Sequence, residues 1–480
     1  MNKLKLFLEN FLVYGLGGII QKIIPLIMVP IVTRIMPDST YYGLIDLSHT
    51  LVSLASALAV MGMYDAMYRM FFEKEDEEFK KDICSTALVF TLCTSLVVFL
   101  GMMIFSVPLS GLFFKDKQYD YLVYISAMAT LIGATNSIVS APTRMQNQKK
   151  IFLIMNAGTS ILSYSISIPL LLAGHYVIAL PLAGLITAIT SEGVFLLLNR
   201  HWFNFKRFHK EYLKPLLSIA IPLLPNFLIY WVFNSSDKIM ITNLMDAGAT
   251  GIYSVGSKLG HASQLIYTAF AGGWQYFAFA TMKEDNQVKT NSMIFEYLGI
   301  ISYSCSTFVF ALAKPIYELL FNGEYVSCFI VSPYLFLAPL MQMLFQVIAN
   351  QFLVVKKTWP NLLILSLGAI VNIGLNLSLI PVLGFEGAGI ATLIGYVISD
   401  IVCVIVLLKM KLMTLQFRFI IASIVMAGFI LLWRILFMHN ILISLLLAVI
   451  CCCIFVLLYI NDLKSLVNNF KNKGETKNET

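Results

Sequence analysis

The chain has 480 residues, 59% of them hydrophobic and 12% charged, far from the roughly half apolar and quarter charged make-up of soluble domains. That composition excludes a soluble globular enzyme. The net charge of +7 sits in short polar gaps between apolar runs, as membrane topology requires, and implies neither nucleic acid nor any other soluble anionic partner.

A bilayer-spanning helix needs about 20 mostly apolar residues, and fourteen such runs follow one another: 9–33, 43–65, 83–108, 121–142, 151–173, 176–198, 215–236, 249–272, 293–313, 327–353, 361–381, 386–408, 417–436 and 441–460. The expected fold class is therefore all-α and polytopic. The first run carries GLGG at 15–18, Lys22, Pro25 and Pro30; it exceeds a signal-peptide core and no small-residue cleavage site follows, so it reads as a retained helix. Between runs two and three the acidic stretch EKEDEE, with Lys80 and Lys81 behind it, reads as a solvated connection. The densest basic stretch, RHWFNFKRFHKEYLK at 200–214, lies midway and reads as a cytoplasmic loop beside anionic headgroups. Assigned alternately, most of the 33 Lys and Arg fall on the N-terminal side of the membrane, which places both termini in the cytoplasm. The last residues, 461–480, are rich in Lys, Asn, Glu and Thr and read as a disordered tail. The eight cysteines have no metal-ligand or redox spacing, so they read as small packing residues, with no metal and no cofactor expected.

An internal repeat organises the chain. A shift of about 208 lines up YYGLIDLSHT at 41 with the stretch around TGIYSVGSKL at 250, so that Tyr42 meets Thr250 and Gly43 meets Gly251; PLLLAG at 169 resembles PVLG at 381, and AGLITAI at 183 resembles AGIATLI at 388. Runs 1–6 and 7–12 thus form parallel repeats about an axis along the membrane normal. The expected division is an N-lobe over 1–200, a C-lobe over 201–414 and two added helices over 415–460.

Charge at membrane depth costs about 2.5–3.5 kcal/mol on insertion scales, so such residues should face a cavity or one another. In run 2, Asp46, His49, Ser53 and Ser56 recur at steps of three and four; in run 8, Ser254, Lys258, His261, Gln264 and Thr268 do the same. The repeat shift carries Asp46, Thr50, Ser53 and Ser56 onto Ser254, Lys258, His261 and Gln264, which suggests one shared lumen. Asn226, Tyr230, Asn234, Gln342, Gln346, Asn350, Asn372 and Asn376 add amides and a hydroxyl, serving either that lumen or helix–helix hydrogen bonds. Lys22 and Lys258 have no acidic neighbour at helical spacing and are read as lumen cations. Asp237–Lys238, near a helix end, fits a structural ion pair as well as a functional one. Asp237, Glu192, Glu296 and Asp400 are the candidates for coupling to protons or sodium. Pro25, Pro30, Pro222 and Pro225 mark bending points.

Together, the 6 + 6 + 2 arrangement, GLGG…P…P.VTR ending at Arg34, Tyr42–Gly43 opening the second run, and IPLLPNFLIYWVFNSSDKIMI followed by GIYSVGSKL resemble the polysaccharide-transporter branch of the multidrug/oligosaccharidyl-lipid/polysaccharide (MOP) superfamily, the Wzx-type flippases. That resemblance implies a V-shaped pair of six-helix lobes in a bacterial inner membrane, with no enzymatic step. It implies flipping of undecaprenyl-pyrophosphate-linked oligosaccharide, for O-antigen, capsule or another surface polymer, by alternating access, beside a polysaccharide polymerase and a chain-length regulator. It also implies a cationic lumen, which falls here to Lys22, Arg34, Lys238 and Lys258. The alternatives are a cation-coupled multidrug exporter of the same superfamily, whose lumen should be acidic, and a membrane polysaccharide polymerase or glycosyltransferase, which should show a long outer loop or paired surface carboxylates.

Overall fold

A computed structural model describes residues 22–462 and 464, except 283 and 358, and among these every regular element is helical. Among the described residues, twelve helices are long and apolar enough to cross a membrane. Two more expected spans fail that length test for different reasons. The first, α1, is described over 22–35 only, so residues 9–21 with the GLGG stretch lie outside the described part. The other, 249–272, is two helices, α12 (Ala247–Gly260) and α13 (Gln264–Ala280), joined by a 3₁₀ turn at His261–Ser263.

The remaining helices run in chain order as α2 (Ser39–Val60), α3 (Met63–Phe71), α4 (Glu77–Ile104), α5 (Ser106–Phe114), α6 (Asp120–Met145), α7 (Lys149–Leu172) and α8 (Ala179–Asn199). After them come α9 (Lys210–Ala220), α10 (Leu224–Trp231), α11 (Asp237–Leu244), then α12 and α13, α14 (Gln287–Leu320) and α15 (Ser332–Val354). The series closes with α16 (Trp359–Leu383), α17 (Phe385–Lys409), α18 (Phe417–Leu432) and α19 (Ile441–Leu458).

Local chemistry explains the boundaries. Asp38 caps α2 by accepting from the Thr40 N–H at 2.8 Å, and Asp76 caps α4 through Glu78 N–H at 3.2 Å. The seventh span is one interrupted rod: Pro222 falls in a 3₁₀ turn, Ile221–Leu223, and a π-turn, Val232–Ser236, follows α10. Extra or missing backbone bonds of this kind rotate the face that the following turn presents. Asp237 opens α11 directly after the π-turn.

The acidic stretch is a solvated connection: residues 73–76 run outside any helix, and 73–78 are all exposed. Glu77 and Glu78 form the first turn of α4, where the helix dipole favours them, and they pair with the midway basic stretch: His201 Nε2 lies 2.6 Å from Glu77, Arg207 contacts Glu78, and Arg207 Nη1 lies 3.1 Å from Asp82. Beneath, Met63, Met67 and Phe71 of α3 pack with Phe79, Ile83, Ile138, Leu216 and Ala220. Gly62, at φ +77°, lies so near α9 that a Cβ would sit 2.7 Å from the Ala220 carbonyl, which only glycine tolerates.

Contacts divide the chain into two compact units, one built of residues up to 259 with 321–331 and 362–395, the other of 260–320, 332–361 and 396 onward. In the second unit Phe310, Tyr334, Phe429 and Trp433 form an edge-to-face cluster. There Asp462, at the start of the expected tail, is helical and binds Arg418 Nη2 at 2.6 Å; residues 465–480 lie outside the described part.

Candidate functional site

The first unit contains a cross-over that the repeat explains. A Cβ on Gly43 would strike the Ala247 carbonyl, and one on Gly251 would strike the Ser39 carbonyl, while each stands 3.0 Å from the other glycine's N. Ser39 and Gly43 map onto Ala247 and Gly251 by the same shift of 208. Helices α2 and α12 therefore cross on a local pseudo-twofold axis, with backbones in contact.

One turn deeper along α2 lies Asp46, 2% exposed. Lys238 Nζ stands 2.6 Å from its Oδ2 and Lys258 Nζ 3.4 Å from its Oδ1, and Ser254 Oγ donates to Oδ2 at 2.7 Å. Asp46 and Ser254 are repeat equivalents, so the axis brings the two stripes together as the shared shift suggested. The anion that helical spacing does not supply to Lys258 lies on another helix, at Asp46 of α2. Lys258 also stands over the Tyr42 ring, 4.9 Å from its centroid. Two lysines on one carboxylate leave a surplus positive charge.

That charge opens into a cavity of about 650 Å³ lined by Asp46, His49 and Lys258 on one side and by residues of α6, α7 and α8 on the other. Arg144, at the end of α6, also lines it and donates to Tyr64 Oη at 3.0 Å. Sequence reading passed over this second wall: Asn136, Ser140 and Thr143 on α6, Asn156, Thr159 and Ser163 on α7, and Thr187 and Ser191 on α8. Their steps of three and four were the available signal, hidden because Ser and Thr are common in membrane helices, where they bond their own backbone.

Other expected site residues lie elsewhere. Lys22 is exposed on α1, one turn before Pro25, which lines the cavity; Arg34 is exposed at the other end of α1. Asn226 is half-buried on α10, and Asn234 donates to the Tyr230 carbonyl of its own segment at 2.7 Å. His261, Gln264, Gln342 and Gln346 belong to the second unit: the first two in and just after the 3₁₀ turn, the others on α15.

Of the ion-coupling candidates, Asp237 is buried and accepts from Thr392 Oγ1 at 2.6 Å, Tyr253 Oη at 2.5 Å and Asn376 Nδ2 at 2.9 Å. Glu192 is half-buried on α8. Glu296, in the second unit, accepts from the Gln416 N–H at 2.9 Å and Tyr459 Oη at 3.2 Å, and lies 3.7 Å from Arg418 Nε, in a network that ties α14 to the chain around α18 and α19. Asp400 is buried on α17, also in the second unit, and among the described residues neither carboxyl oxygen has a hydrogen-bond partner.

Residues 7–274 match the family described as polysaccharide biosynthesis protein. The chain belongs to this family. Among curated proteins none matches. Among solved structures, members of the family's wider fold align over most of this chain. The lipid II flippase MurJ in an inward closed conformation aligns at TM-score 0.70 and 16% identity, covering 94% of this chain and 99% of its own. An inward-facing multidrug resistance MATE family transporter of the MOP superfamily aligns at 0.60 and 15%, covering 82% and 94%. A Vibrio cholerae MATE transporter aligns at 0.56 and 13%, covering 84% and 94%. This family member therefore has a MOP-type transporter fold and is a multi-pass membrane protein.

Proposed function

We propose that this protein flips undecaprenyl-pyrophosphate-linked oligosaccharide from the cytoplasmic to the outer leaflet of a bacterial inner membrane, for O-antigen, capsule or a related surface polymer, with both termini in the cytoplasm. The observation that carries the reading is the Asp46–Lys258 pair on the wall of a cavity lined by many polar side chains, with Lys238 bound to the same carboxylate. An ionised group taken alone into hydrocarbon costs tens of kcal/mol, and each unbonded hydroxyl about 2–7 kcal/mol more. A wet groove bearing a surplus positive charge removes that barrier for a pyrophosphate and its sugars, while the polyprenyl tail stays in lipid.

The cluster also supplies a way to link capture to movement. Asp46 lies on the first repeat and both lysines on the second, so an arriving pyrophosphate competes with Asp46 for Lys258 and Lys238. A ligand shifts a two-state equilibrium only by its differential affinity, and this competition provides one: the anion weakens a bond that joins the repeats. In this reading residues 1–200 and 201–414 act as the two lobes, and Lys22 and Arg34 guide the anion along α1. His49 contacts the headgroup, while Asn226, Asn234, His261, Gln264, Gln342 and Gln346 contact sugars during transit. Glu192 and Asp400 couple the cycle to an ion; Asp237 and Glu296 hold helices together. A cationic cluster disfavours the cation-exporter alternative.

A leaflet-specific assay of lipid-linked oligosaccharide in a deletion strain tests the proposal. Accumulation on the cytoplasmic face is expected, and accumulation on the outer face would overturn it.

A further inference from the structure

The repeat offers a second comparison, between the cavity wall and its counterpart. PLLLAG at 169 and PVLG at 381 align Ser160 with Asn372 and Tyr164 with Asn376, and AGLITAI with AGIATLI aligns Thr187 with Thr392. In the second repeat these positions form a cradle: Thr392 and Asn376 donate to the buried Asp237 carboxylate, and Asn372 Nδ2 donates to Thr392 at 3.1 Å. The cradle is filled by the protein's own oxygen atoms.

The first repeat builds the matching positions and leaves out the filler. TRIM at 33–36 resembles DKIM at 237–240 at a shift of 204, four less than at Gly43; that match puts Thr33 where the carboxylate would stand, and Thr33 Oγ1 donates to the Val29 carbonyl of its own helix at 2.9 Å. Ser160, Tyr164 and Thr187 line the cavity instead. Among the described residues, Thr187 Oγ1 and, one turn before Ser160, Asn156 Nδ2 are buried with no hydrogen-bond partner, and both residues line the same cavity. Leaving such a group unsatisfied costs about 1–3 kcal/mol, and an unpaired group at a cavity wall marks where a ligand or water supplies the partner.

We infer that this wall of α7 and α8 is the glycan-binding face of the cavity, an oxygen-accepting cradle that the second repeat fills with Asp237 and the first leaves for the sugar moiety of the substrate. The inference rests on the flippase reading and deepens it: the pyrophosphate is held at Lys258 and the sugars at Asn156, Ser160, Tyr164 and Thr187. Hydroxyls and amides suit sugar edges, and the Tyr164 ring offers a face for stacking. The lining from Phe152 to Tyr164 rises about 18 Å along α7, long enough for a short oligosaccharide and not only for the sugar next to the pyrophosphate. Selectivity among glycans then resides in the first repeat, and recognition of the shared pyrophosphate at the junction of the two.

The test uses full-length protein in lipid nanodiscs and two probes: undecaprenyl pyrophosphate, and the lipid-linked oligosaccharide extracted from the deletion strain. Thr187→Val and Asn156→Ala are expected to weaken binding of the sugar-bearing lipid at least fivefold and to leave binding of undecaprenyl pyrophosphate unchanged. Thermal unfolding should stay at the wild-type value for Thr187→Val, which removes an unpartnered hydroxyl, and fall for Thr392→Val, which strips a donor from Asp237. Wild-type affinity of both variants for the sugar-bearing lipid would overturn the glycan face, as would an equal loss for both probes. If the wild-type protein binds neither probe better than undecaprenol, the flippase reading itself fails.

Discussion

At the scale of single residues, Lys258 and Asp46 have different jobs although they touch. Lys258 is a third exposed along its side chain, whereas the Asp46 side chain is nearly enclosed. Removing Lys258 leaves Asp46 paired with Lys238, so Lys258→Ala should reach wild-type abundance in membranes and yet abolish surface polymer, while Lys258→Arg keeps the charge and retains part of it. Immunoblotting against polymer staining separates the two outcomes, and normal polymer in Lys258→Ala would remove this lysine from the mechanism. Removing Asp46 strips the partner from two lysines. Breaking a buried pair costs about 3–5 kcal/mol, so Asp46→Ala should lower thermal stability in detergent more than Lys258→Ala does. Sequence pattern alone displayed both residues and put Asp46 in register with Ser254, the contact seen at 2.7 Å. It left Lys258 without an anion because periodicity reports neighbours within a helix, and this anion comes from another. Asp237 was a coupling candidate for the same reason: Thr392 and Asn376, which satisfy it, lie more than a hundred residues away.

At the scale of elements, the α2–α12 crossing is held by two glycines whose missing side chains admit the opposite backbone. Any Cβ at either must push a carbonyl aside, and overpacking of this kind costs about 1–3 kcal/mol. Because the clash at Gly43 mirrors that at Gly251, Gly43→Ala and Gly251→Ala should lower the unfolding temperature by similar amounts, and Gly428→Ala, where a Cβ meets open space, should not. A large difference between the first two would contradict the pseudo-twofold contact. The spans themselves were legible because a bilayer fixes how long an apolar run must be. The break at His261–Ser263 was hidden, since no proline marks it and His261 and Gln264 keep the helical period of the polar stripe. Hydroxyl-rich α7 was legible as a span and not as a wall: its Ser and Thr side chains meet their own backbone, as Thr159 does with the Met155 carbonyl at 2.7 Å, and so carry no hydropathy signal.

At the scale of the whole molecule, a transporter that exposes one cavity to two sides must break and remake contacts at one end of the crossing. Here three hydrogen bonds lie at the end bearing Asp38, Ser39 and Ala247. Glu324 Oε1 accepts from the Ser39 N–H at 2.6 Å, Tyr325 Oη donates to the Asp38 carbonyl at 3.2 Å, and Asn243 Nδ2 donates to the Leu112 carbonyl at 2.8 Å. With both termini in the cytoplasm, as proposed, this end faces outside. In the flippase reading, alternating access requires these bonds to open when substrate leaves, and each is a single neutral or charge-assisted bond worth about 0.5–3 kcal/mol, small enough to exchange against ligand binding. Joining Ser39→Cys to Glu324→Cys with a short bifunctional maleimide should hold this end shut, stopping transport while leaving binding of undecaprenyl pyrophosphate from the cytoplasmic side intact. Each single cysteine variant treated alike controls for the eight native thiols, all of them free. Transport that continues through the cross-linked protein would show that this end does not open, and the substrate would then need an exit other than the one that the repeat symmetry provides.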